Sequence, residues 1–120
     1  MIFMASPLLP KVLTAGTEKV GIRISSHPLA GALVRALNVP VTGTSANISG
    51  GPPCINAEQV IQYLGGTVDL ILDGGGTGGK YPSTIIDVTQ DPPLIIREGI
   101  ITAKEIIESG IYTELVNPVQ

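Results

Sequence analysis

Ser45-Ala46-Asn47-Ile48-Ser49-Gly50 puts three small hydrogen-bonding side chains into six residues, between a segment that reads as strand and one that reads as helix. Turns of this kind are where α/β proteins hold phosphates, because backbone N–H groups and short polar side chains converge there. Arg23, the Pro82-Ser83-Thr84 step and Arg97 stand on other segments that end in strands or loops. An arginine fork suits a carboxylate and a second arginine suits a phosphate, each charge-assisted bond contributing about 1.5–3 kcal/mol. The four places together predict an anion-binding pocket assembled on one sheet. The same residues have plainer uses: Ser45, Asn47 and Ser49 can form a turn that caps its own backbone, and Arg23 can pair with Asp73 or Asp87.

Asp73-Gly74-Gly75-Gly76-Thr77-Gly78-Gly79-Lys80 nearly satisfies two nucleotide fingerprints, GxGxxG and GxxxxGK. Both need a helix directly after the glycines to aim its amides at phosphate, and Tyr81-Pro82-Ser83-Thr84-Ile85-Ile86 is a turn into a strand instead. The run therefore reads as a glycine loop whose backbone can close over a ligand, with Lys80 as a flexible point charge for a phosphate. Cys54, the single cysteine, excludes an intrachain disulfide and a Cys-rich zinc site and reads as a loop residue rather than a nucleophile.

The elements that must position these groups follow from spacing. Residues 2–4 read as the end of a strand, and Ser6-Pro7 as the opening of a short helix to about residue 13. Residues 19–24 alternate as a strand, placing Arg23 near its C-terminal end. His27-Pro28 opens a helix in which Leu29, Ala32, Leu33, Ala36 and Leu37 recur at helical spacing. A short strand is predicted at 39–42, then the Ser/Asn loop, then a helix capped by Asn56 that stops at Gly65-Gly66. Residues 68–72 form a continuous apolar run, expected as a strand buried on both faces. Residues 83–88 and 94–97 read as two further strands joined by the tight Asp91-Pro92-Pro93 connection, and Thr102 with Glu105 as a capping box for a last helix over 103–109.

Composition bounds the answer. A chain of 120 residues holds one core at most. Aromatics are 3% against 43% hydrophobic residues, with no Trp and one Phe, so that core must be aliphatic. An Ile-rich sheet under Ala/Leu helices fits, which makes the fold class α/β. A net charge of −3 without basic clusters argues against a strong phosphate-backbone binder. Neither a signal peptide nor a membrane-length apolar run is present, so no membrane partner is expected and the lone cysteine points to a cytoplasmic setting.

Val20-Gly21-Ile22-Arg23-Ile24, His27-Pro28, the Ser45 to Gly50 run, Val68-Asp69-Leu70-Ile71-Leu72-Asp73-Gly74-Gly75, Ser83-Thr84-Ile85-Ile86-Asp87 and Ile95-Ile96-Arg97-Glu98-Gly99 resemble, in order, successive motifs of the YrdC/Sua5 family, the L-threonylcarbamoyladenylate synthases. The resemblance runs from about residue 6 to 107. It implies a YrdC-like twisted mixed sheet with flanking helices, incomplete on its N-terminal side, over residues 1–110, with 111–120 as a C-terminal tail. It implies a nucleotidyltransferase that joins L-threonine, bicarbonate and ATP, with Mg2+, into threonylcarbamoyl-AMP for the threonylcarbamoyladenosine modification of tRNA. Arg23 and Ser83 would then hold threonine, and Ser45, Asn47 and Arg97 would bind ATP, with no metal ligand from protein side chains.

Two departures stand out: Lys19 where the family usually has threonine, and Pro53 where it has a small polar residue. The family's PTDTVYG-like segment and its KxR element have no counterpart here, so the chain is expected to be inactive or barely active alone. The alternatives are a double-stranded RNA-binding module and the YrdC-like domain of a carbamoyltransferase maturation factor. Absent zinc-finger cysteines weigh against the latter and acidic charge against the former.

Overall fold

The computed structural model describes residues 1–77 and 82–116, and the chain divides into two compact units, one formed by residues 1–24 with 80–120 and the other by residues 25–79.

The first unit is built on a four-stranded sheet. β1 (Ile2–Met4) pairs antiparallel with β2 (Lys19–Gly21), Phe3 facing Val20, across a connection that carries the short helix α1 (Lys11–Thr14). β1 also pairs parallel with β3 (Ile85–Asp87), and β3 pairs antiparallel with β4 (Leu94–Arg97), giving the order β2-β1-β3-β4. The sheet is therefore mixed, as the family resemblance implied. Isoleucine fills its centre: Ile95 is fully buried and Ile86 nearly so. α4 (Ala103–Glu108) follows, opened by the expected capping box, in which Glu105 N donates to the Thr102 hydroxyl and Thr102 N donates to the Glu105 carboxylate.

Three expectations shift in this unit. The helix forecast from Ser6 begins only at Lys11, because Pro10 lacks an N–H and its ring would collide with the preceding turn; the Ser6 hydroxyl instead accepts from Leu8 N in a local turn. β2 ends at Gly21, so Arg23 lies two residues beyond the ladder. The segment forecast as a tail from residue 111 is pinned at Val116, whose backbone exchanges hydrogen bonds with Pro93 and Ile95 beside β4.

The second unit is helical. α2 (Pro28–Leu37) carries Pro at its first turn and ends on Asn38 in the left-handed conformation. α3 (Ala57–Leu64) is capped by Asn56, whose side chain accepts from Gln59 N at 3.0 Å, while the Gln59 side chain reaches back to Ile55 N at 2.9 Å. The strands forecast at 39–42 and 68–72 are not formed. Neither finds a ladder partner among the described residues, and Leu70, expected to be buried on both faces, is 75% exposed.

Candidate functional site

In the first unit the site begins with a tight crossing of two backbones. Thr84 sits at the entrance to β3, and its hydroxyl donates to Ile101 O while accepting from Gly99 N at 3.0 Å and Ile101 N at 3.2 Å. Ile100 N also donates to Pro82 O. The approach is so close that a Cβ on Gly99 would lie 2.6 Å from the Ser83 carbonyl carbon and 2.7 Å from Thr84 N, and closer still to Pro82 O. Only glycine fits there. Across this crossing Arg97, at the end of β4, donates from Nε (3.1 Å) and Nη2 (2.7 Å) to Ser83 O. Two sequence-predicted residues, Arg97 and Ser83, are thus brought together, with the guanidinium gripping the Ser83 carbonyl and its remaining N–H groups turned to solvent. Sequence reasoning named Thr84 in the Pro82-Ser83-Thr84 step and Gly99 in the segment after β4, but gave neither the role of clamp, which needs the two segments to be known as neighbours.

The sheet's own charge pair lies further along β3. Asp87 is buried, and its Oδ2 accepts from Lys19 Nζ at 2.8 Å while its Oδ1 accepts from Thr89 N (2.9 Å) and the Thr89 hydroxyl (2.6 Å). The Lys19 hydrogen bond, followed by those from Thr89, holds this carboxyl at a pKa of about 2. Lys19, the departure noted in the sequence, is therefore the partner of Asp87, so the pairing of Arg23 with Asp87 does not form. Asp73, in the second unit, accepts from Gly75 N at 2.8 Å. Arg23 is exposed, and among the described residues its side chain makes no hydrogen bond or ion pair.

Ser45 and Asn47 belong to the second unit. Of the strand-to-helix frame expected around them, the helix α3 forms after the loop and the strand before it does not. Asn47 Nδ2 donates to Ile48 O at 2.9 Å and Gly51 O at 3.1 Å, and Cys54 N donates to Ala46 O. The amide thus braces the loop, as the plainer reading held, and leaves its carbonyl oxygen for a ligand. Ser45 is exposed beside it.

Next to this loop lies a cavity of about 330 Å³ whose walls are mainly aliphatic, from α2 (Leu29, Leu33), α3 (Val60) and Ile71, with His27, Asn56 and Asp73 as its polar points. The glycine run helps close it. Thr77 donates from both N and Oγ1 to Ile55 O, and Gly74 packs so near His27 that a Cβ would come within 3.0 Å of the imidazole. Lys80, forecast as a phosphate contact, lies outside the described residues. An aliphatic pocket with a few polar points suits a flat or apolar ligand moiety, and Arg23 and Arg97 of the first unit suit anionic groups.

Comparison with known proteins gives a consistent result. The Sua5/YciO/YrdC family, described as "Telomere recombination", matches residues 1–99. Threonylcarbamoyl-AMP synthase of Bacillus subtilis is 46% identical over 104 residues, which are 87% of this chain and 30% of that protein. A crystal structure of Pyrococcus abyssi Sua5 complexed with L-threonine superposes with a TM-score of 0.83 at 32% identity, covering 95% of this chain and 34% of that one. A doubly substituted form of the same protein gives a TM-score of 0.86 at 34% identity, covering 97% of this chain and 35% of that one. The chain thus spans about a third of the length of these relatives.

Proposed function

The chain belongs to the Sua5/YciO/YrdC family, and from that premise we propose that it supplies part of the site of a threonylcarbamoyl-AMP synthase, which condenses L-threonine, bicarbonate and ATP and releases pyrophosphate. The observation that carries this reading is the superposition of 95% of the chain on a threonine-bound Sua5. In this reading Arg23 pairs with the threonine carboxylate and Ser83 hydrogen-bonds the same ligand. Arg97 binds the nucleotide, and Ser45 with the free carbonyl oxygen of Asn47 meets ATP at the loop beside the aliphatic cavity.

The chemistry asks for positioning more than for a nucleophile. The threonine amine attacks CO2 with loss of a proton, or bicarbonate with loss of water, to give a carbamate. A carbamate oxygen then attacks the α-phosphorus, its P–O bond forming as the bond to pyrophosphate breaks. Arginines and hydrogen-bond donors serve such a step by aligning two anions and spreading the charge that develops. Magnesium belongs to the ATP substrate, carried on its phosphates. The product feeds threonylcarbamoyladenosine formation on tRNA in the cytoplasm, and the tRNA-modifying machinery is the downstream partner. Among the described residues no helix is long and apolar enough to cross a membrane. A net charge of −3 favours this enzymatic reading over double-stranded RNA binding.

Calorimetric titration with ATP and with L-threonine tests the proposal, using the chain alone and co-expressed with the N-terminal portion of a full-length relative. Saturable binding of both ligands in the complemented state, lost for threonine in Arg23→Ala, is expected. Complemented protein that binds neither ligand would remove the proposal.

A further inference from the structure

We propose that Thr84 is the positioning residue of the first unit's site: its hydroxyl holds the strand end that carries Arg97 against the one that carries Ser83, and so sets the aim of the Arg97 N–H groups left for an anionic ligand. The identity of that ligand rests on the proposed function, whereas the geometry stands apart from it. In an unbroken β3–β4 ladder Ile96 would stand opposite Ile85, because Asp87 faces Leu94 and Ile86 faces Ile95. Instead the register shifts between Ile85 and Ile86, and Arg97 takes the place opposite Ile85. A bulge of this kind leaves one residue unpaired and re-aims the side chains beyond it. The ladder ends at that pair, so strand pairing no longer holds the two segments together where Arg97 meets Ser83.

Thr84 takes over where the ladder stops. Its hydroxyl accepts from Gly99 N at 3.0 Å and from Ile101 N at 3.2 Å, and donates to Ile101 O. A hydroxyl has one donor and two acceptor sites, so all three are spent and none remains for a ligand. Thr84 therefore acts through its neighbours: it adjoins Ser83, and its three partner atoms lie on the segment that follows Arg97. Serine could make the same bonds, while valine has the shape of threonine and could make none. The consequence falls on Arg97, an exposed side chain whose Nε and Nη2 are fixed on Ser83 O. An exposed arginine without that anchor has to be ordered when a ligand arrives, which subtracts from affinity. With the anchor, the outward N–H groups meet the ligand already aligned.

Nuclear magnetic resonance on the 15N-labelled chain reads the Arg97 Nε–H directly, against Arg23 and Arg35, its other two arginines. In the wild type the Arg97 proton is expected to exchange with water about tenfold more slowly than theirs, the worth of one hydrogen bond. In Thr84→Val it should exchange as they do, and in Thr84→Ser it should be slow again. Titration with ATP and with L-threonine, on the chain co-expressed with the N-terminal portion of Pyrococcus abyssi Sua5, gives the second reading. Thr84→Val is expected to weaken both ligands about tenfold, and Thr84→Ser to stay within about twofold of the wild type. Thr102→Val, which strips the capping box of α4, controls for lost stability and should change neither reading. If Thr84→Val does not fold, Thr84→Ser decides: a slow Arg97 proton with wild-type affinities supports the inference, and loss of either overturns it. Fast exchange at Arg97 in the wild type, unchanged exchange or affinities in Thr84→Val, or an equal loss in Thr102→Val would each overturn the inference and leave the proposed function standing. Wild-type protein that binds neither ligand would remove that function and this inference with it.

Discussion

Arg97 grips the Ser83 carbonyl, and under the proposed function its outward N–H groups also hold the nucleotide, an arrangement that would couple the two ligands. Arg97→Ala should therefore weaken ATP about 10- to 100-fold, the equivalent of about 1.5–3 kcal/mol for a charge-assisted bond, and weaken threonine as well, because Ser83 loses its brace. Arg23→Ala should weaken threonine alone. Titration of both variants with both ligands separates the two patterns, and Arg97→Lys should restore little, since an ammonium cannot reproduce the fork. Asp87 makes a second residue-scale prediction. Its pKa lies near 2 in the folded chain against an ordinary 3.8, so the stability it lends is fully present above about pH 4 and is lost as pH falls toward 2. Denaturant melts across that window should show the decline in the wild type and a flatter profile in Asp87→Asn, with Glu105, also held low by its Thr102 hydrogen bonds, supplying the residual slope.

At the scale of elements, what the sequence made legible was local. The Asn56 cap, the Thr102–Glu105 box, Pro28 in the first turn of α2 and the β3–β4 hairpin are each written within a few neighbouring residues, and each forms. The failures have one physical origin. A strand exists only with its partner, so the apolar run 68–72 and the segment 39–42 could not be read as strands without knowing what lies beside them. Likewise Asp87 finds Lys19 across 68 residues of sequence, a separation no local pattern encodes, and Pro10 overrode the Ser6 start. In the candidate site Arg97 reaches Ser83 O across 14 residues, a contact no local pattern encodes, whereas the Asn47 amide braces its own loop through Ile48 and Gly51, which a turn-forming sequence does encode. Ile95→Ala, at the fully buried centre of β4, should cost about 2–5 kcal/mol. Asn56→Ala should cost only about 1 kcal/mol, the worth of a single N-cap. Equilibrium denaturation of the two variants orders them, and a reversed order would mean the sheet is not the core of the first unit.

Taken whole, the molecule exposes many large aliphatic side chains among its described residues, and Ile95 is the only fully buried one, with Ile86 nearly so. Its two units each hold part of the proposed chemistry, the arginines and Ser83 in one and the Ser45–Asn47 loop with its cavity in the other. The chain alone should therefore melt broadly and gain a sharp, higher transition when complemented, which differential scanning calorimetry reads directly. The most direct test of the central claim is the reaction itself: transfer of labelled bicarbonate carbon into a threonine-linked adenylate, measured with ATP and L-threonine on the chain co-expressed with the N-terminal portion of Pyrococcus abyssi Sua5. The account predicts labelled threonylcarbamoyl-AMP that disappears when threonine is omitted or Arg97 is replaced by alanine. A stable complex that forms no such product would contradict it.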